Sequence, residues 1–242
     1  MISVICIYND SEILNNYLLK SLKAQNVEYE QILIDNTDNK FKSAAEALNY
    51  GGKKARGKYL MFVHQDIDLL SDSWLKDAEN MLNSLPGFGI AGVAGKLDKK
   101  TITNIEQGYP PKNAGYTLNN PIETQTLDEC LFIIPKTVFA KLKFDEKVCS
   151  GWHLYAVDYS LSVKMLNLKV FVLPFTLYHR SYGYSFSSDY YSILEKLLDK
   201  HKKNYKTIYT TMGNWNTGMP LMIQIIIQRL FWYWTRIRQK YS

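Results

Sequence analysis

Apolar residues fall along the chain in short continuous runs separated by stretches of helical periodicity. Residues Ile2–Tyr8 are almost wholly apolar, as expected of a strand buried on both faces. Asn9-Asp10-Ser11 then supplies helix-start chemistry, and Leu14, Leu18 and Leu22 recur at i, i+4, i+8, which predicts a helix over about 12–25. Gln31–Asp35 is a second strand, closed by the turn-rich Asn36-Thr37-Asp38-Asn39. Ser43-Ala-Ala-Glu46 has the form of a capping box and opens an alanine-rich helix that runs to Gly57. Tyr59–Val63 is a third buried strand and ends at His64-Gln65-Asp66-Ile67-Asp68. Trp74–Leu85 reads as a helix stopped by Pro86-Gly87, and Gly89–Gly95 as a fourth strand.

Residues 98–127 are polar and turn-rich and read as an irregular excursion over the site. Regular pattern resumes with a strand at Cys130–Ile134, a short helix at Thr137–Leu142, a helix within Gly151–Met165 and a strand at Lys169–Leu173. Asp189–His201 is helical. The order implies an α/β fold, a mostly parallel Rossmann-like sheet flanked by helices, with a C-terminal helical tail. Ligands in such sheets sit beyond the carboxyl ends of the strands. Asn9-Asp10, Asp35-Asn36 and Asp66-Ile67-Asp68 all fall there.

Composition narrows the class. With 46% hydrophobic and 21% charged residues among 242, disordered and collagen-like chains are excluded. The start reads as a strand rather than a leader peptide. Cys6, Cys130 and Cys149 form no CxxC pair, which fits a reduced, cytoplasmic compartment. The net charge of +6 is uneven: from Lys196 onward there are nine Lys or Arg against Asp199, a net of +8 that leaves −2 on residues 1–195. Basic charge on a tail rather than around a cleft points away from nucleic acid and toward an anionic surface.

Asp66 and Asp68, two apart at a strand end, can converge on a hard divalent cation such as one bridging nucleotide phosphates; a solvated turn is the alternative, and the position after the third strand favours the cation. Gly87-Phe-Gly89-Ile-Ala-Gly92 spells GxGxxG, but a helix and Pro86 precede it and a strand follows, so the dinucleotide reading fails.

The succession Ser3–Asn9, Ile32–Asn36, Asn49-x-Gly51 with Ala55-Arg56-Gly57, and Tyr59–Asp66 resembles the family 2 glycosyltransferases, sugar-nucleotide enzymes of the GT-A fold, over roughly residues 1–185. The resemblance implies a nucleotide-sugar-binding half at 1–97, an acceptor-side half at 98–185 and an extension at 186–242. It implies donor contacts from Asn9, Asp35, Arg56 and Asp66, and a divalent metal, Mn²⁺ or Mg²⁺. The metal motif departs from the family pattern and has two registers, His64-Gln65-Asp66 or Asp66-Ile67-Asp68, which share Asp66. His179 stands where related enzymes complete the metal shell, and Tyr182–Ser185 where a loop would close over the donor. The family's acceptor-side acid pair would fall at Tyr155-Ala156, which carry no charge; Asp158 and His153 are the nearby candidates for a general base. Asp158 equally suits a helix-orienting role. Trp152 offers a face for a sugar ring, or a core side chain.

The expectation is a metal-dependent, inverting glycosyltransferase that moves sugar from a nucleoside-diphosphate donor to a hydroxyl on a glycan or lipid-linked acceptor, in bacterial surface-glycan assembly. A non-catalytic glycan- or sugar-nucleotide-binding scaffold is the alternative, and the uncharged Tyr155-Ala156 favours it. A nucleotidyltransferase would need a glycine-rich basic loop after the first strand, which Asn9-Asp10-Ser11-Glu12 is not. Residues 219–242 are apolar, then aromatic, then basic, the composition of a helix lying on an anionic membrane and so of a peripheral protein. Docking of that helix on the domain or on a second subunit is the other reading, and the oligomeric state stays open.

Overall fold

The computed structural model describes residues 1–181 and 188–240, with only the backbone described for Ser188 and residues 231–240. Its centre is a seven-stranded sheet: β1 (Ile2–Tyr8), β2 (Glu30–Asp35), β3 (Tyr59–Val63), β4 (Phe88–Gly92), β5 (Ile122–Glu123), β6 (Leu131–Pro135) and β7 (Lys169–Val172). The spatial order is β5-β7-β4-β6-β3-β1-β2. β1 pairs in parallel with β2 and β3, and β7 in parallel with β4. β6 lies antiparallel between β3 and β4, and β5 antiparallel at the edge. The sheet is thus mostly parallel, with one reversed strand at its middle.

Alternation along β1 builds both faces. Ile2, Val4 and Cys6 enter one buried cluster, and Ile5 enters the other. The first is covered by Leu14, Leu18 and Leu22 and by Trp74, Leu75, Ala78 and Leu82 of the Trp74–Ser84 helix. The stripe at 14, 18 and 22 survives a π-helical turn at Asn15–Leu19. The second face is covered by the Ala44–Lys54 helix, by Val138 and Phe139, and by Tyr155, Ala156, Tyr159 and Val163 of the Tyr155–Met165 helix. Ser43 caps the Ala44–Lys54 helix, accepting from Glu46 N at 3.2 Å, while the Glu46 carboxylate accepts from Lys42 N at 3.1 Å. Gly52 lets this helix close on the core: a Cβ there would lie 2.3 Å from the Phe139 ring. The helix ends at Lys54, three residues before the expected Gly57, because Ala55 turns extended.

Residues 98–127 are more regular than their sequence suggests. They form short strands at Lys100–Thr103, Ile105–Gln107, Lys112–Asn113 and Thr126–Leu127, besides β5. Strands of two to four residues are too short for alternation to register in sequence; local hairpins and remote partners together hold them. The expected strand at 89–95 divides after Gly92, and Ala94–Leu97 joins a second sheet with Lys100–Thr103 and Thr126–Leu127. The segment after 185 is not a loose appendage. Tyr190, Ile193, Leu194 and Leu197 of the Ser188–His201 helix, with Ile208 and Trp215 of a hairpin (Thr207–Thr210, Gly213–Asn216), share a third core with Leu154, Val157 and Leu161. The Leu221–Lys240 helix follows.

Candidate active site

The carboxyl ends of β1, β2 and β3 open into a cavity of about 520 Å³ lined by Asn9, Asn36, His64, Asp66 and Trp152, among others. A second cavity, of about 430 Å³, adjoins it and is lined by Thr101, Thr103, Asp128, His153, Thr210 and Thr211. His64, Glu129, Trp152 and Ser181 line both, so the two meet along these four residues. Trp152 is 41% exposed and presents its ring where they join.

β3 delivers His64 and Asp66 at its end, with His64 N donating to Cys130 O at 2.9 Å. His179 arrives from the far end of the sheet because Leu177–His179 pairs with both Ile67–Asp68 and Ile105–Gln107. Arg180 N donates to Asp66 O at 3.1 Å, and Ser181 N to Asp66 Oδ2 at 3.2 Å, which fixes the approach. Among the described residues, His64, Asp66 and His179 form a group whose donor atoms all lie within 4.8 Å of one another, a spacing that can hold one ion. Two imidazoles and one carboxylate suit Mn²⁺ better than Mg²⁺. Burial pushes the Asp66 carboxyl up, but the hydrogen bond and charge of His179, with the charge of His64, outweigh it and hold the group well below the ordinary range. Burial and neighbouring His179 lower His64, favouring the neutral ring that a metal requires. Tyr155 Oη lies 3.0 Å from His64 Nε2 and orients the ring.

The group contains His64 and Asp66, the two ends of the His64-Gln65-Asp66 register, and not Asp68. Asp68 stands apart: its Oδ1 accepts from Leu70 N at 3.0 Å and shapes a turn. Asn9 lines the first cavity and is locked to Gln65, which accepts from Asn9 N at 3.0 Å and donates to Asn9 Oδ1 at 2.7 Å. Asp35 is exposed at the end of β2 and accepts from Thr37 N and Oγ1, with Asn36 rather than Asp35 lining the cavity. Arg56 falls at the opposite edge of the sheet, before β3 begins, and is 83% exposed and paired with Glu30 at 2.8 Å. It is therefore remote from the cavity: the loop that carries it precedes the strand instead of following it. His153 lines the second cavity, where burial lowers its pKa against the opposing charge of Asp189. Asp158 is buried and lines neither cavity, since its carboxylate accepts from Lys200 Nζ and meets His201 Nε2, each at 2.8 Å. Tyr182–Ser185 lie outside the described residues.

Sequence reading passed over Glu129. Its carboxyl faces the backbone N–H groups of Leu154, Tyr155 and Ala156 at the start of the Tyr155–Met165 helix, where the acid pair was expected. Burial, then the neighbouring Asp128, push its pKa well up, and those amides only partly offset them. Its buried Oε1 has no hydrogen-bond partner among the described residues. The acid comes from the turn before β6, a strand apart in sequence from Tyr155-Ala156, so no local spacing marks it.

A model of the glycosyltransferase-like family matches residues 3–180. Among solved structures, the fold is similar to the mannosyltransferase PcManGT of Pyrobaculum calidifontis, in complex with GDP-Man and Mn²⁺. That match has a TM-score of 0.58 and 13% identity, over 85% of this chain and 65% of that one. It is also similar to TarS residues 1–349 of S. aureus bound to UDP-GlcNAc (TM-score 0.57, 16% identity, 82% and 66% of the two chains). GalNAc-T7 with UDP, GalNAc and Mn²⁺ gives a TM-score of 0.60 at 12% identity, over 84% and 49%. A curated relative, "ATP synthase subunits region ORF 6" of Fuscovulum blasticum, is 22% identical over 159 residues, and the match spans 62% of its length and 62% of this chain. The architecture is that of the GT-A fold.

Proposed function

The chain belongs to the glycosyltransferase-like family, and from that premise we propose that it transfers a sugar from a nucleoside-diphosphate donor to an acceptor hydroxyl, with a divalent metal and with inversion. The observation that carries this reading is the His64–Asp66–His179 group at the end of β3, beside a cavity large enough for a nucleotide. The donor occupies the first cavity, against Asn9 and Asn36, and the acceptor the second. A Mn²⁺ held by His64, Asp66 and His179 would neutralise charge on the diphosphate. Solved relatives of the fold that carry GDP-Man or UDP with Mn²⁺ support this choice.

Glu129 stands at the junction of the two cavities and is the group to take the acceptor's proton, which leads to a single displacement and an inverted anomeric carbon. His153 lines the acceptor side only. The scaffold reading rested on the missing acids at Tyr155-Ala156, and Glu129 supplies a carboxyl at that place. Bacterial surface-glycan assembly on the inner face of the membrane suits this chemistry, and the free buried cysteines agree with a reduced compartment.

The test is a thermal-shift titration with UDP, GDP, dTDP and CMP, each with and without Mn²⁺. One nucleotide should raise the midpoint only when Mn²⁺ is present, and Asp66→Ala should abolish the rise while leaving the unliganded midpoint near wild type. Stabilisation by none of the four would sink the donor assignment.

A further inference from the structure

Over residues 221–230, the Leu221–Lys240 helix has one face in use and one that is exposed among the described residues. At about 100° per residue, Leu221, Gln224, Ile225 and Gln228 fall within one sector of roughly 100°. That sector is docked. Leu221 and Ile225 pack on the third core, and buried Gln224 accepts from Asn216 N at 2.7 Å and donates to Asn216 O and Met219 O at 2.8 Å. Gln228 lies over Gly213, where a Cβ would come 3.0 Å from its amide nitrogen. Met222, Ile223, Ile226, Ile227 and Leu230 fall in the opposite sector, of about 140°. These five are 47–75% exposed, a continuous aliphatic strip on the outside of the molecule.

Charge selects what covers it. Exposed Arg229 borders the strip, Arg236, Arg238 and Lys240 follow in sequence, and the chain from Lys196 onward carries +8. A second copy would bring the same positive charge against itself, whereas an anionic lipid surface takes both the aliphatic strip and its basic margin. No described helix is long and apolar enough to cross a membrane, so the fit is to the surface.

The docked face adds a direction. It rests on the Thr207–Asn216 hairpin, whose turn residues Thr210, Thr211 and Met212 line the second cavity. The strip therefore lies across the helix from the hairpin that helps to wall that cavity. We propose that the helix lies on an anionic phospholipid surface and, through the hairpin, turns the second cavity toward acceptors carried on lipid. The membrane half of this inference needs no donor and stands apart from the transferase reading; the acceptor half rests on it.

The experiment uses the full chain with vesicles of phosphatidylcholine alone and of phosphatidylcholine with phosphatidylglycerol, followed by sedimentation. Binding to the anionic vesicles should be at least about tenfold tighter and should weaken in high salt. The double variant Ile226→Asp with Ile227→Asp should lose it, with an unchanged thermal midpoint because both side chains are solvent-facing. Arg229→Glu should reduce it. Amide exchange in the presence of anionic vesicles should slow at 219–230 and also at 210–213. Equal binding to both vesicle types, or binding indifferent to the double variant, overturns the membrane assignment. A dimer abolished by the double variant, without vesicle binding, assigns the strip to a second copy instead. Slowing at 219–230 without any at 210–213 overturns the acceptor half alone.

Discussion

Glu129 faces the start of the Tyr155–Met165 helix and Asp158 lies within its first turn, and their neighbours give them different fates. Glu129 lines both cavities, with Oε1 lacking a partner among the described residues and its pKa raised. Asp158 is held by Lys200 and His201, so its charge serves the contact between two helices. Glu129→Gln keeps the shape and an acceptor oxygen toward the helix amides but removes the base. Turnover of a sugar nucleotide should fall by about 10²–10⁴-fold while the nucleotide-induced thermal shift stays as in wild type. Asp158→Asn leaves Lys200 and His201 facing a neutral amide and should cost about 3–5 kcal/mol in urea unfolding, with turnover per folded molecule preserved. The reverse pattern would exchange their roles. Asp66 could be picked from the sequence by its place at a strand end, and His179 only through the family resemblance; the fold brings the two together. Glu129 could not be picked, because its relation to the helix start exists only after β6 has paired with β3.

Among the elements, β2 shows how one polar side chain sets a register. Glu30, at its start, accepts from Ser3 Oγ at 2.6 Å, from Arg56 N at 2.7 Å and from Arg56 Nε at 2.8 Å, tying β2 to β1 and to the loop before β3. Burial raises the Glu30 carboxyl, but these bonds and the guanidinium charge outweigh it and bring the pKa down to about 2. A carboxyl depressed by folding stabilises the fold above its ordinary value, and the gain disappears as pH falls through the folded one. Glu30→Gln should therefore be less stable than wild type above pH 4.5, with the gap closing between 4.5 and about 2. Parallel unfolding curves at stepped pH would show it, and a gap that persists below pH 2 would contradict the assignment. β1, β3 and the capped Ala44–Lys54 helix could be read directly, since each satisfies its own periodicity. The two- to four-residue strands between 98 and 127 could not, because each is too short to show a period and part of their pairing comes from distant segments such as Leu177–His179.

Across the whole molecule, the sequence told the fold class and the edge of the sheet that holds the site, but not the reversed strand at its middle. Ligand-side residues and apolar runs look alike whichever way a buried strand points. β3 meets β4 only through β6, a segment made some forty residues after β4 itself. That arrangement has a consequence for synthesis on the ribosome. Until Leu131–Pro135 emerges, β3 is open on one flank and β4 on both, so the first half presents three unpaired strand edges to whatever is nearby. A chain stopped at residue 127 should aggregate on expression, and one extended through 216 should be soluble and resist protease. A soluble, protected fragment 1–127 would mean that the early half has an order of assembly different from the one its final pairing requires. The joining of β3 to β4 thus waits on a single late strand, and a slow stretch of translation just before it would lengthen the interval in which a chaperone has to hold the nascent chain.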